Sequence, residues 1–193
     1  MPSPHAPHAP HANATLGTAD PATTGADAQA ATPHAYDAGL LVLRIALGLT
    51  MAAHGAQKLF GWFGGGGLEG TGQFFSSAGY PSGEAMAVIA GLTETFGGLA
   101  LVLGLLTPLA GAAVFGTMLN ALAVKWNGSF FAPEGVEYEL LLTAVAAGLT
   151  LTGPGRYAVD RALPVLRAHR LAYGAGAVVL GAVVAGIVLL VRS

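Results

Sequence analysis

Five apolar segments separated by short polar or glycine-rich connections make up most of the chain after residue 36. They run over about residues 39–60, 85–106, 109–126, 136–152 and 171–191. An α-helix rises about 1.5 Å per residue, so about 20 apolar residues cross a bilayer core about 30 Å thick. The pattern therefore predicts an all-α membrane protein, a four-helix transmembrane bundle with a fifth C-terminal transmembrane helix.

The residues at the segment boundaries are typical of helix ends. Ser82 precedes the second segment and is predicted to cap it, while Thr107-Pro108 suits the N-cap and first position of the third. Gly153-Pro154 is predicted to end the fourth. The second and third helices should then form a tight hairpin.

The chain divides into three parts by composition. Residues 1–36, rich in Ala, Pro, Thr and His and without Lys or Arg, are predicted to be a disordered tail. Residues 37–162 hold the four-helix domain, and residues 163–193 hold a basic connection and the fifth helix. His5, His8 and His11 could bind a metal weakly along a polyproline edge, but low-complexity drift is the preferred explanation.

Composition excludes several classes of protein. The chain is 53% hydrophobic and 9% charged, whereas soluble domains carry about 25% charged residues. Its net charge of −2 without a dense basic run argues against nucleic-acid binding. Because it has no cysteine, thiolate catalysis and iron–sulfur ligation are excluded, and we predict no metal site in the helical domain.

The placement of basic residues predicts the orientation in the membrane. Arg156, Arg161, Arg167 and Arg170, half of the eight basic residues, lie between the fourth and fifth segments. Cytoplasmic loops carry such an excess. We therefore expect a multi-pass protein of the bacterial inner membrane with its N-terminus in the cytoplasm, its C-terminus outside and the loops 61–84 and 127–135 outside.

Two charged residues fall well inside predicted helices. Burying a charge at the bilayer centre costs at least about 2.5 kcal/mol, so Arg44 and Glu94 need partners or a function. Counting from the helix ends gives them similar depths, which allows an ion pair between them. The pair could organise a site or fix the helix register. Glycines at helical spacing, Gly48 and Gly55 in one helix and Gly91 and Gly98 in the next, predict close contact there.

Further polar residues should gather towards the outer end of the bundle, with Asn120 near mid-membrane. They are His54, Gln57, Lys58, Lys125, Glu137, Tyr138 and Glu139, beside Trp126. One hypothesis is a buried polar site where His54 and a carboxylate, Glu94 included, exchange protons with a quinol-like or other small ligand. The alternative is a solvated rim with snorkelling side chains. The nearby Gly64–Gly67 run is interpreted as a pliable hinge, with a ligand-gripping loop as the alternative.

The motifs resemble those of the DoxX family of small membrane proteins over about residues 38–162. The first helix and following loop read LRIALGLTMAAHGAQKLFGWFGGGGLEGTGQFF, and the second reads AGLTETFGGLALVLGLLTPLAG. KWNGSFF and EYELLLTAVAAGLTLTGPGRYAVD continue the likeness. The chain departs from the family pattern at Pro108, where an Arg is frequent, and at Lys125-Trp126, where a His is frequent.

The resemblance implies a four-helix core and redox work at the quinone pool. By this likeness His54 and Glu94 are the candidate catalytic residues, and Arg44, Gln57 and Lys58 accompany them. The expected function is redox association through a quinone or small sulfur compound, with partner subunits, possible homo-oligomers and no intrinsic cofactor. Two alternatives stay open: a small-molecule or ion transporter, and a structural scaffold of a membrane complex. Whether the chain is an enzyme is undecided at this stage.

Overall fold

The structure is a computed structural model, and it describes residues 33–164 and 168–192. Every regular element in these ranges is helical. The α-helices are α1 (Pro33–Phe60), α2 (Gly67–Ser77), α3 (Gly83–Leu103), α4 (Thr107–Lys125), α5 (Glu137–Thr152) and α6 (Leu171–Leu190). Short 3-10 helices at Trp62–Gly64 and Val159–Ala162 lie in the connections.

The five predicted apolar helices are confirmed as α1, α3, α4, α5 and α6. All of these except α5 are long and apolar enough to cross a membrane. Helix α5, which corresponds to the predicted fourth helix, has 16 residues, which span about 24 Å. It packs against α4 and α6. The chain is therefore a multi-pass membrane protein.

The first helix begins at Pro33, a few residues before the predicted domain boundary at residue 37. The rest of the predicted tail, residues 1–32, lies outside the described residues. The hypothesis of a weak metal site at His5, His8 and His11 therefore also lies outside them.

Antiparallel helices α1 and α3 pack closely through their glycines. A Cβ added to Gly48 would lie 2.5 Å from the carbonyl oxygen of Gly98, and one added to Gly55 would lie 2.7 Å from that of Gly91. Since small residues let two backbones approach, the predicted helix contact is confirmed.

The C-terminal helix α6 packs onto the bundle. A Cβ on Gly116 of α4 would lie 2.9 Å from the carbonyl oxygen of Gly181, and one on Gly174 would lie 2.8 Å from the Leu151 Cα of α5. Glycine at these positions allows α6 to lie directly against the backbones of α4 and α5.

The α3–α4 hairpin is confirmed, but its caps differ from the prediction. Leu106, not Thr107, is the N-cap residue of α4, and Ser82 makes no side-chain cap at α3. The Asp160 carboxylate instead accepts hydrogen bonds from the N–H groups of Leu106 and Thr107, at 2.7 and 2.9 Å. A carboxylate at this position pairs otherwise unsatisfied donors and complements the helix dipole. The predicted end of the fourth helix at Gly153 is confirmed.

The connection between α1 and α3 contains a helix that the sequence analysis did not predict. Gly64 and Gly67 adopt positive φ angles of 78° and 63°, which turns the chain into α2. Gly72 of α2 is buried, and a Cβ there would lie 3.1 Å from the Glu84 Cα at the start of α3. This glycine contact lets α2 lie against α3.

Candidate functional site

A cavity of about 740 Å³ lies among the helices. We call the end of the bundle where α1 and α4 finish and α3 and α5 begin the site end, and the other the opposite end. All six α-helices contribute to the cavity wall. The polar residues among those that line it are His54, Lys58, Tyr80, Thr93, Glu94, Thr117, Asn120, Lys125, Tyr138 and Glu139.

An ion pair joins α1 to α3 at the cavity. Lys58 Nζ lies 2.7 Å from Glu94 Oε2, with the Glu94 side chain 3% exposed and that of Lys58 25% exposed. The Lys58 backbone is level with Gly91, since a Cβ on Gly91 would lie 3.4 Å from the Lys58 Cβ. The Glu94 Cα lies about 4.5 Å farther along α3 from the site end than that of Gly91, and the Lys58 and Glu94 side chains together bridge this offset.

His54 is held by a neighbour on each side of its ring. Its Nδ1 lies 3.0 Å from Gln57 Oε1, and its Nε2 lies 2.9 Å from the Tyr138 hydroxyl of α5. Gln57 does not line the cavity but donates to the Phe63 carbonyl at 3.4 Å, which links the ring to the loop after α1. The imidazole is thus oriented at the cavity wall beside a phenol.

A second ion pair joins α4 to α5. Lys125 Nζ lies 3.0 Å from Glu139 Oε1. The other carboxylate oxygen, Oε2, is buried and has no hydrogen-bond partner among the described residues. Glu139 lines the cavity, whereas Glu137 does not, and Glu137 Oε1 accepts from the Ala132 N–H at 3.0 Å. The two glutamates, two residues apart on α5, therefore have different environments.

Asn120 connects three parts of the cavity wall. Its Oδ1 accepts from the Tyr80 hydroxyl at 3.2 Å, and its Nδ2 lies 3.1 Å from the Gly116 carbonyl and 3.4 Å from the Ala185 carbonyl of α6. Burial raises the pKa of the Tyr80 phenol above its ordinary value, which keeps this hydroxyl protonated and able to donate.

Arg44 lies outside this site, and the predicted ion pair between Arg44 and Glu94 is wrong. The guanidinium donates to the Pro154 carbonyl through Nη1 and to the Tyr157 carbonyl, at 2.6 Å, through Nη2. These carbonyls lie after the end of α5, at the opposite end. Arg44 therefore serves to hold the connection after α5 against α1.

The described residues contain no group of three His, Cys, Asp or Glu side chains arranged to hold a metal ion. The carboxylates at the cavity face lysines instead, at Glu94 and Glu139. The chemistry available at the wall is thus proton exchange and hydrogen bonding.

Comparison with known proteins places this arrangement in a family. The DoxX family model matches residues 39–126, and the model described as TQO small subunit DoxD matches residues 84–174. The chain is 35% identical over 126 residues to "Putative oxidoreductase CatD" of Bacillus subtilis (strain 168), which covers 65% of this chain and 87% of that protein. This chain belongs to the DoxX family.

Two further relatives of this DoxX-family chain are inner membrane proteins of Escherichia coli (strain K12). YqjF is 34% identical over 133 residues, 66% of this chain and 93% of that protein. YphA is 32% identical over 129 residues, 63% of this chain and 88% of that protein. No solved structure matches the chain significantly.

The DoxX match contains most of the cavity's charged groups, while the C-terminal wall lies beyond both matches. His54, Lys58, Glu94 and Lys125 fall within residues 39–126. Most of α6 follows residue 174, where the DoxD match ends. The cavity of this DoxX-family protein is therefore completed by a helix outside the matched region.

Two tyrosines that hydrogen bond to predicted site residues, Tyr138 with His54 and Tyr80 with Asn120, were not predicted as functional residues. The sequence did not indicate a role for Tyr80, and it placed Tyr138 only among the polar residues of the outer end. Tyr138 is four residues from Leu142, and both line the cavity, so its position one helical turn away was a usable signal.

Proposed function

We propose that this protein is a redox-associated subunit of a bacterial inner membrane that binds the head group of a quinone or quinol in the cavity. The observation that carries the proposal is the buried, unpartnered Oε2 of Glu139, a residue of the cavity wall whose carboxylate would turn this oxygen to a ligand. A buried acceptor without a partner costs about 1–3 kcal/mol, which a donor on a ligand would recover. A quinol hydroxyl is such a donor.

Groups suited to the two oxygens of a quinone ring lie around the same cavity. The Lys58 ammonium can donate to a carbonyl oxygen, and so can the Tyr138 hydroxyl when His54 is protonated and donates to it through Nε2. Glu139 Oε2 can accept from a hydroxyl. Since polar groups that fix the ligand are few in an otherwise apolar pocket, this distribution fits a small aromatic head group.

The proposal assigns proton exchange to this chain and electron supply to a partner. Reduction of a quinone to a quinol consumes two electrons and two protons. The chain has no cysteine to carry electrons, so a partner redox subunit is their proposed source. A protonated His54 would pass one proton to the Tyr138 phenol as the phenol transfers its own to a ring oxygen, and the second proton would come from water at the site end. Glu94 would balance the charge of Lys58 during the transfer.

The names of the relatives support a redox role with a partner subunit. The matching DoxD model is described as a TQO small subunit, and the Bacillus relative is named an oxidoreductase. The proposal therefore includes membrane partner subunits, possible homo-oligomers and a quinone as the only cofactor-like ligand. It also keeps the site end on the outer side and the N-terminus in the cytoplasm.

Quinol binding to the purified protein tests the proposal. Trp126 follows the cavity residue Lys125, so quenching of tryptophan fluorescence by a reduced quinone analogue is the readout. We expect Glu139→Gln to weaken quinol binding about tenfold, because the amide of glutamine has one acceptor oxygen where the carboxylate has two. Glu137→Gln is the matched control and should bind as the wild type does. Equal binding by both variants, or no saturable binding by the wild type, would contradict the proposal.

The ion pair between Lys58 and Glu94 favours one alternative function, transport of a small molecule or ion. Charged residues within membrane helices often mark transport paths. Ligand flux in proteoliposomes, lost in Glu94→Gln, would support transport. A scaffold would show neither flux nor quinone binding and would copurify with a partner.

A further inference from the structure

Three arginines of the connection between α5 and α6 differ from the other basic residues that the structure describes. Arg156, Arg161 and Arg170 are exposed, and their guanidinium groups form no hydrogen bond or ion pair with any described residue. Every other lysine or arginine in the described ranges has an acceptor within the protein: Arg44, Lys58, Lys125 and Arg192. We call the three exposed arginines the arginine surface.

The backbone of the arginine surface is fixed to the bundle. The Arg156 N–H donates to Asp37 Oδ1 of α1 at 2.8 Å. Arg170 is the N-cap residue of α6, and its carbonyl accepts from the Tyr173 N–H at 2.9 Å. Since these positions are set by the fold, only side-chain freedom is lost when a ligand binds to the guanidinium groups.

Two of the three arginines lie near the end of α5. Arg156 follows Gly153, the C-cap residue of α5, by three residues. His169 precedes Arg170, and its ring lies against the same glycine, since a Cβ on Gly153 would lie 2.5 Å from His169 Cγ. His169 Nε2 also lies 2.9 Å from the Leu151 carbonyl. The connection therefore leaves the end of α5 and returns to it, with an arginine on each side.

Nearby carboxylates do not balance the charge of the arginine surface. The acidic residues at the opposite end in the described ranges are Asp37 and Asp160, and both accept from backbone N–H groups. Arg44, the fourth described arginine of this end, is buried against carbonyl groups. Four arginines and two aspartates give the opposite end a net positive charge. The arginine surface therefore attracts anions from outside the chain.

Exposed tyrosines beside the arginines indicate their depth in the membrane. Tyr36 lies in the first turn of α1, and Tyr157 follows Arg156. Tyr173 lies in the first turn of α6, three residues after Arg170. Because tyrosine is enriched where the bilayer meets water, the arginine surface should lie at the level of the phospholipid phosphates.

The chemistry of this surface favours one class of lipid. A guanidinium group can donate two parallel hydrogen bonds to phosphate oxygens. A zwitterionic head group would bring its own ammonium group towards the arginines, and like charges repel. Leu171, which follows Arg170, is 69% exposed and begins an apolar face of α6 along which acyl chains can lie. Free phosphate would make no use of that face.

We propose that the arginine surface binds the head groups of anionic phospholipids in the leaflet at the opposite end. The phosphate oxygens accept from Arg156, Arg161 and Arg170, and the acyl chains lie against the start of α6. This proposal is independent of the cavity and of the ligand that the cavity takes.

Lipid binding to the full-length protein in detergent tests the proposal. Native mass spectrometry counts bound lipids during titration with phosphatidylglycerol, which is anionic, and with phosphatidylcholine, which is zwitterionic. We expect wild type to bind phosphatidylglycerol at least about tenfold more tightly. Arg156→Gln and Arg170→Gln should each weaken this binding about fivefold, and the triple variant that adds Arg161→Gln should lose the preference. Arg192→Gln is the matched control, because it removes an exposed arginine at the site end and should keep the preference.

Stability of the variants is checked by thermal unfolding in detergent without added lipid. The triple variant should unfold at the wild-type temperature, because its guanidinium groups bind no described residue. If it does not fold, the two single variants decide the test. Equal affinity of wild type for the two lipids, or an equal loss in Arg192→Gln, would overturn the proposal. Displacement of phosphatidylglycerol by inorganic phosphate at equal concentration would show a site for free phosphate and would also overturn it.

Discussion

The Lys58 ammonium lies 2.7 Å from the Glu94 carboxylate, and the Lys58 side chain is 25% exposed whereas that of Glu94 is 3% exposed. Lysines near helix ends usually extend towards water. The lysine, which is partly exposed near the end of α1, can turn towards water, whereas the enclosed carboxylate has no such alternative. Removing the lysine and removing the carboxylate should therefore have different effects on the stability of the protein.

Removal of Lys58 should destabilise the protein more than removal of Glu94. In Lys58→Met the Glu94 carboxylate is left buried without its partner, which costs about 3 kcal/mol. In Glu94→Gln the lysine can turn towards the site end, so the expected cost is about 1 kcal/mol. Thermal unfolding in detergent measures both. A larger loss in Glu94→Gln would show that the lysine, not the glutamate, lacks an alternative.

The position of Arg44 could not be predicted from its distance to the helix end alone. Arg44 and Glu94 have similar depths when residues are counted from the predicted helix ends. Which residues of α1 and α3 lie opposite each other is instead set by the close contacts of Gly48 and Gly55 with α3. That register places Arg44 beside Gly104, where a Cβ would lie 2.6 Å from Nη1. Gly104 follows Glu94 by ten residues, about 15 Å along the helix. Lys58, and not Arg44, is therefore the basic residue of α1 that reaches the Glu94 carboxylate.

Loss of Asp160 should weaken the start of α4 without changing ligand binding. Its two oxygens accept from the Leu106 and Thr107 N–H groups. Replacing such a cap with alanine costs about 0.5–2 kcal/mol. Asp160→Ala should therefore unfold at lower temperature than wild type and bind quinol normally, because Asp160 lies at the opposite end. Asp160→Asn keeps one acceptor and should lose less.

The cap of α4 was not accessible from the sequence because Asp160 follows Thr107 by 53 residues. Local rules recognise a cap only when donor and acceptor are neighbours in the chain, as at Gly153. The same limit hid α2, whose glycine content is typical of a loop. Its Gly72 is required by the close approach to Glu84, a tertiary contact.

Alanine at Gly48 should disrupt the contact between α1 and α3. A Cβ there would meet the Gly98 carbonyl at 2.5 Å and the Val102 side chain at 2.7 Å. Overpacking of this kind costs about 1–3 kcal/mol. Gly39→Ala on the same helix is the control, since nothing lies within 4 Å of its Cβ. The unfolding temperature should fall for Gly48→Ala and stay the same or rise for Gly39→Ala, because alanine favours a helix more than glycine does. An unfolding temperature of Gly48→Ala equal to that of Gly39→Ala would contradict the close contact.

The hydroxyl of Tyr138 should contribute to quinone binding both directly and through His54. Tyr138→Phe keeps the ring but removes the group that lies 2.9 Å from His54 Nε2. A hydrogen bond of this type contributes about 1 kcal/mol, so binding of a quinone analogue should weaken about fivefold. His54→Ala should lose a similar amount in a folded protein, because the tyrosine then lacks its orienting partner.

The double variant separates a shared role from two independent ones. If His54 and Tyr138 act as one unit, His54→Ala combined with Tyr138→Phe should weaken binding no more than either change alone. Tyr173→Phe is the control, since Tyr173 lies at the start of α6, is 59% exposed and is not among the cavity-lining residues. Additive losses would mean that each side chain contacts the ligand separately. Unchanged affinity in all variants would remove the pair from the site and leave Glu139 and Lys58 as its polar groups.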